Sequence, residues 1–211
     1  MKLQGEQEVF YFLSGKGTMT AGGEAVDVYE GISILAPAGL EFTLKNTGER
    51  ELTMYLISEP TLAGFRPNQK LLVKDEGRIP VRSSSGHWAH IVKGVFESKE
   101  GLASLGNVLT VALDPMTIGE PHAHGAGSEE VWAAIKGESL AFIGTQLRWQ
   151  RPGMAYLVPP GEPATLKSVA AGLSFPHSNI NSGKEQVKFL YFSRLEGGRR
   201  PAADSPSPAG R

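Results

Sequence analysis

The chain has 211 residues, 40% of them hydrophobic, and a formal charge of −1, which is enough apolar material for one large or two small domains. Its 21 basic residues are offset by 22 acidic ones with no long basic run, which argues against a phosphate-backbone partner. The absence of cysteine excludes disulfides, thiolate metal sites and cysteine nucleophiles.

In chain order, the opening MKLQGEQEVFYF holds no apolar run long enough for a signal peptide, and nowhere is there a stretch of about 18 apolar residues to span a bilayer. A cytoplasmic location without a membrane partner is the expectation, unless a signal peptide precedes Met1. Short apolar runs follow at residues 9–13, 32–35, 52–57, 108–113, 131–135, 155–158 and 187–192, each bounded by Gly, Pro or Asn as strands are. No segment sustains a helical period with caps at both ends. Many short strands among 26 Gly and 14 Pro predict an all-β sandwich or barrel. Residues 197–211, GGRRPAADSPSPAGR, are too polar to offset their ordering entropy and read as a flexible tail.

The chain repeats itself. Glu8, Gly15, Gly31, Pro37 and Gly39 recur as Glu130, Gly137, Gly153, Pro159 and Gly161, all shifted by 122 positions. Asn46 and Gly48 then answer Asn181 and Gly183 at a shift of 135, so the second copy carries a 13-residue insertion between Gly161 and His177. Two copies of one β domain follow, 1–75 and 76–196, with residues 60–86 reading as a linker or as exchanged edge segments. About 35 residues precede the motif of the second copy, whereas the first opens almost on its own. The first barrel therefore either borrows strands from elsewhere or begins upstream of Met1.

The second copy contains His122-Ala-His124, Glu130 to Gly137, Gly153 to Pro159, and His177 to Asn181. In this order and spacing the motifs resemble those of the cupin superfamily, and the chain to about residue 195 is similar to a bicupin. The resemblance implies an all-β fold of two cupin-type jelly-roll barrels in tandem, the first of them short of strands. It also implies a metal held by His122, His124, Glu130 and His177. Residues i and i+2 of a strand share a face, so His122 and His124 can both turn inward. Gly125 and Gly127 return the chain beside them; Glu130 adds an anionic oxygen and His177 a third imidazole. Three nitrogens and one oxygen suit one Mn, Fe, Ni, Co or Zn ion per chain, with positions left open. Glu129 competes with Glu130 because five residues separate His124 from Glu130; the six-residue spacing to Gly137 and the match to Glu8 favour Glu130. His87 and His90 would face opposite sides of a strand and read as structural or surface residues.

The first copy has no histidine before residue 87, and Phe42 stands where His177 would be, so the expectation is a degenerate, metal-free domain. Around the second motif, Trp132 turns inward by alternation from Glu130. Gln146, Arg148 and Tyr156 offer groups for an anionic or hydroxylated substrate. Neither a dinucleotide-binding turn, a P-loop nor a Ser nucleophile elbow occurs. The reading is a metal-dependent enzyme acting on a small hydroxylated or carboxylate metabolite such as a sugar acid. The ion acts as Lewis acid in isomerase, lyase or hydrolase chemistry, and Glu129 serves as a supporting partner of the ligands or as catalytic proton acceptor. An Fe-dependent dioxygenase and a non-catalytic binding or structural bicupin are the alternatives. Open strand edges on the first barrel predict a homodimer.

Overall fold

The fold was obtained as a computed structural model that describes residues 5–82, 89–124 and 127–195; the predicted tail at 197–211 and His87 lie outside these. Strands β1 (Glu6–Ser14), β2 (Lys16–Ala21), β3 (Glu24–Tyr29), β4 (Ile32–Ala36), β5 (Phe42–Asn46), β6 (Thr53–Pro60) and β7 (Leu72–Asp75) form two sheets, ordered β6-β1-β4-β7 and β3-β2-β5. A second pair of sheets follows from β8 (Ile91–Glu97), β9 (Leu105–Leu113), β10 (Thr117–Ile118), β11 (Ser128–Lys136), β12 (Ser139–Ile143), β13 (Gln146–Gln150), β14 (Ala155–Val158), β15 (His177–Asn181) and β16 (Val187–Leu195). Their orders are β14-β11-β16-β9-β8 and β10-β15-β12-β13. Each sheet pair is antiparallel and encloses its own apolar core, giving two jelly-roll barrels in tandem.

The sequence repeat is a repeat of structure. β1 and β11 have the same bounds at the shift of 122, and β5 and β15 at the shift of 135. Each of β1 and β11 carries a bulge at the same place, between Phe12 and Ser14 and between Ala134 and Lys136. Gly15 and Gly137 follow at φ 86° and 75°, a backbone conformation that a Cβ would strain. The insertion carries the one-turn helix α1 (Leu166–Ala170), whose Thr165 and Ser168 form a reciprocal capping box.

The copies differ at their edges. β9 and β10 cover β16 and β15 in the second barrel, while the corresponding β6 and β5 have no such neighbour among the described residues. The first barrel instead takes β7 from the joining segment alongside β4.

The barrels pack through the faces of β1, β11 and β16 that point away from their own interiors. Along β1, Phe10 and Phe12 enter the first core while Val9 and Tyr11 join Phe96, Val108 and Leu190 between the barrels, which explains a strand buried on both faces. Two buried carboxylates pin this contact. Glu59 accepts the backbone N–H groups of Ala103, Ser104 and Leu105, each at 2.9 Å, and the Gln7 amide at 2.5 Å. Glu76 accepts from Tyr11 at 2.6 Å, Thr110 at 2.8 Å and Lys188 at 2.5 Å. Among the described residues no helix is long and apolar enough to cross a membrane.

Candidate metal centre

His177 is the first residue of β15 and pairs with His122 through an isolated antiparallel bridge. The His122 N–H donates to the His177 carbonyl at 3.2 Å, and the His177 N–H returns the bond at 2.8 Å. The histidine pair was expected on a regular strand, but only His122 bridges and His124 follows in irregular backbone. The rings converge all the same: centroids of His122, His124 and His177 lie 4.6–5.2 Å apart. Glu130 enters from β11 and is almost completely buried. One ligand atom from each of the four residues lies within 4.8 Å of the other three.

The carboxylate is surrounded by donors. His124 Nε2 lies 2.6 Å from Glu130 Oε1 and His177 Nε2 lies 3.2 Å from Oε2. Tyr191 also donates its hydroxyl to Oε1, and Trp132 Nε1–H donates to Oε2 at 3.2 Å. Burial opposes ionisation of Glu130, but the hydrogen bonds and charge of His124 and His177 outweigh it and hold the carboxyl far below its usual range. Bonding to Glu130 raises the His124 pKa against the opposing effect of burial. For Tyr191, burial first and the Glu130 charge second push the phenol well above its ordinary range.

These residues fit a divalent transition metal. The Nδ1 atoms of His122 and His177 lie 2.9 Å and 3.0 Å from the carbonyl oxygens of Glu120 and Phe175. A proton held at Nδ1 by a carbonyl leaves Nε2 as the ligating atom and fixes the ring. Adjacent ligands at about 2.1 Å from one ion stand about 3 Å apart, so small side-chain shifts would bring this set to coordination distance. A bound ion would compete with protonation of His124, since a ligating imidazole must be neutral.

Glu129 is corrected. Alternation along β11 sends it to the opposite face from Glu130, where it pairs with Arg194 at 2.7 Å, so it cannot serve as a proton acceptor at the cluster. Trp132 faces inward beside Glu130 and is buried. Gln146, Arg148 and Tyr156 line one depression of about 260 Å³ between the edges of β13 and β14. The Arg148 guanidinium bonds the Gln146 carbonyl oxygen, and the Tyr156 hydroxyl donates to the Trp149 carbonyl at 2.5 Å. A narrow internal space bordered by Trp132, Tyr156 and His177 shares Ala141, Ile143 and Tyr156 with this depression. His90 is buried with its ring 6.1 Å from that of Trp132, outside the cluster. Sequence reasoning missed Tyr191; its only signal was parity on a strand opposite Trp132, which requires the β11–β16 register. In the first barrel, Glu8 is buried at the Glu130 position and burial, then Glu6, pushes its carboxyl pKa up.

Residues 4–58 match the model described as Cupin domain. The fold is a cupin fold. The match lies on the copy without histidines, whose spacing the α1 insertion does not interrupt. Solved structures with this fold include a Pseudomonas aeruginosa protein designated glyoxylate-induced, with a TM-score of 0.72 and 13% identity over 98% of this chain and 71% of that one. AerE from Microcystis aeruginosa gives a TM-score of 0.69 and 13% identity, covering 92% of this chain and 80% of its own. A variant of oxalate decarboxylase from Bacillus subtilis gives 0.63 and 13%, covering 92% and 64%. At this identity the likeness is one of cupin architecture. A comparison with curated protein sequences finds no match.

Proposed function

We propose that the chain is a bicupin, 1–75 and 76–196, in which only the second barrel holds a metal, and that it is a metal-dependent enzyme acting on a small hydroxylated or carboxylate metabolite. The observation that carries this reading is the convergence of His122, His124, Glu130 and His177 within 4.8 Å, with two imidazoles oriented by carbonyls. When bound, the ion supplies a Lewis acid that polarises a substrate oxygen and stabilises negative charge developing there.

The chain's own groups do the rest. Tyr191 and Trp132 hold the Glu130 carboxylate in one orientation. Trp132 and Tyr156 wall the space beside His177 and limit water. Arg148 offers a permanent cation to an anionic substrate. Oxalate decarboxylase, a cupin-fold protein named for a reaction on a small carboxylate, is in keeping with that substrate class. A sugar acid remains one member of the class, and the protein acts in the cytoplasm without nucleic-acid or membrane partners.

A homodimer completes the reading. The outer face of the β10-β15-β12-β13 sheet carries Ile118, Ile180, Leu140, Phe142, Leu147 and Trp149, with Leu147 58% and Trp149 53% exposed. The corresponding face of the first barrel carries Thr18, Thr20, Asp27, Thr43 and Lys45. Two faces on one repeat have thus diverged, one toward water and one toward contact. No charged side chain stands on the apolar rows, so a second copy of the same face is its best complement.

The test reconstitutes the protein with Mn, Fe, Co, Ni and Zn in turn and follows consumption of hydroxy acids, keto acids and sugar acids, with and without oxygen. The reading expects turnover without oxygen uptake, abolished in a folded His124→Ala variant. Oxygen uptake confined to the Fe form would reassign the protein as a dioxygenase. Metal bound with nothing consumed would reassign it as a binding module.

A further inference from the structure

The two barrels differ at one seam. In the first, β4 lies between β1 and β7, so β7 stands in the gap between β3 and β4, and the depression left there, about 200 Å³, is lined by Leu71 and Val73. In the second, β14 pairs with β11 alone among the described residues, and none of these places a strand in the same gap between β13 and β14. The depression in that gap has walls of Ile143, Leu157, Pro159 and Phe175. Its polar groups are those of Gln146, Arg148 and Tyr156. The first barrel has Glu24 and Val26 where the second has Gln146 and Arg148. The first barrel's depression also has a cation, Lys70, but it is paired with Glu24 at 2.6 Å, whereas Arg148 has no carboxylate partner among the described residues.

The register connects this seam to the metal centre. His177, Ile143 and Gln146 form one cross-strand row, and paired residues put their side chains on one face. Strand spacing places the Gln146 backbone about 10 Å from that of His177, with Arg148, the next residue on that face, about 7 Å further along β13. Ile143 stands between them. A ligand that touches both ends must cross apolar walls.

Polar capacity along that path is limited. The Tyr156 hydroxyl is committed to the Trp149 carbonyl, and the Gln146 carbonyl oxygen to the Arg148 guanidinium. Nε and Nη2 of Arg148 both donate to the Gln146 side-chain oxygen, so Nη1–H and the second N–H of Nη2 remain for a carboxylate, the geometry that favours a two-pronged bond. A polyhydroxylated chain would lose hydrogen bonds to water against Ile143, Leu157 and Phe175 without replacing them.

We infer that the substrate is a carboxylic acid with an apolar body, aryl or branched alkyl, which enters through the β13–β14 seam, pairs its carboxylate with Arg148 and presents an oxygen at its far end to the histidine cluster. This narrows the substrate class of the proposed enzyme and rests on that reading only for the end at the metal. The seam itself is testable without metal.

Calorimetric titration of the chelator-treated full chain with 3-phenylpropanoate and with D-gluconate separates the possibilities. Binding of 3-phenylpropanoate should be at least about 10-fold tighter than that of gluconate. Arg148→Ala should weaken it about 10-fold or more, the size expected for one charge-assisted pair, and Arg148→Lys should restore part of the loss. A His122→Ala, His124→Ala variant should bind the probe as the parent does. Loss of metal binding therefore counts against the proposed enzyme alone. Equal or tighter binding of gluconate, no binding of either acid at millimolar concentration, or an Arg148→Ala variant that binds unchanged would overturn the inference.

Discussion

Tyr191 reaches diagonally across the β11–β16 pair to donate its hydroxyl to Glu130, two residues along from Trp132, the residue opposite it. Each Glu130 oxygen thus meets one imidazole and one outer donor: His124 and Tyr191 at Oε1, His177 and Trp132 at Oε2. Outer donors of this kind fix the rotamer of a metal-binding carboxylate. Tyr191→Phe is expected to raise the metal dissociation constant by about 10–100-fold while the far-ultraviolet circular dichroism stays unchanged. Competition against a metal-sensitive dye measures it, and an unchanged constant would remove Tyr191 from the centre's support.

Glu59 fixes the contact between barrels in a different way. Its carboxylate satisfies three successive backbone N–H groups at Ala103 to Leu105, which are buried and have nowhere else to turn. Glu59→Ala should cost about 2–4 kcal/mol, since buried donors lose a charged acceptor. Urea denaturation gives the number. A loss below about 0.5 kcal/mol would mean that the donors find water instead.

Glu76 makes stability depend on pH. Burial favours its neutral form, but Lys188, Tyr11 and Thr110 together outweigh burial and hold the carboxyl below the ordinary 4.5. The folded pKa is therefore below the unfolded one, so its contribution is complete above about pH 4.5 and disappears as pH falls through the folded value. Glu76→Gln should lower stability at pH 6 by about 2–3 kcal/mol, because Lys188 is left part-buried and unpaired. The gap between variant and parent should narrow on acidification. Denaturation curves at several values between pH 6 and pH 3 test this, and a constant gap would refute it.

The apolar outer face makes its own prediction. A Leu147→Glu, Trp149→Glu variant places like charges at the centre of any self-contact there and should run as a monomer under conditions in which the parent is a dimer. Light scattering coupled to gel filtration reads the mass. A dimer that survives both charges would locate the interface elsewhere.

Much of the fold was legible in the sequence because the second copy serves as a check on the first. The apolar runs at residues 9–13, 131–135 and 187–192 fall in β1, β11 and β16, strands that pack on both faces and so read as continuous hydrophobic segments. β2, KGTMTA, escaped notice because one face meets water and its apolar residues form no continuous run. α1 was missed because five residues cannot display a helical period. At the site, the spacing of His122, His124, Glu130 and His177 carried the cluster. Glu129 falls on the outer face by the same alternation from Glu130 that turns Trp132 inward, and there it pairs with Arg194. Tyr191 and the open seam depend on register and on the missing neighbour of β14, and pairing partners are not written in a single strand's sequence.

The central claim is a metal held by the second barrel, and elemental analysis of protein purified without added metal or chelator tests it most directly. The measurement is run beside a His122→Ala, His124→Ala variant whose fold is checked by circular dichroism. The account predicts close to one Mn, Fe, Co, Ni or Zn per chain in the parent, lost in the folded variant. No metal in the parent, even after reconstitution with each ion, would contradict it.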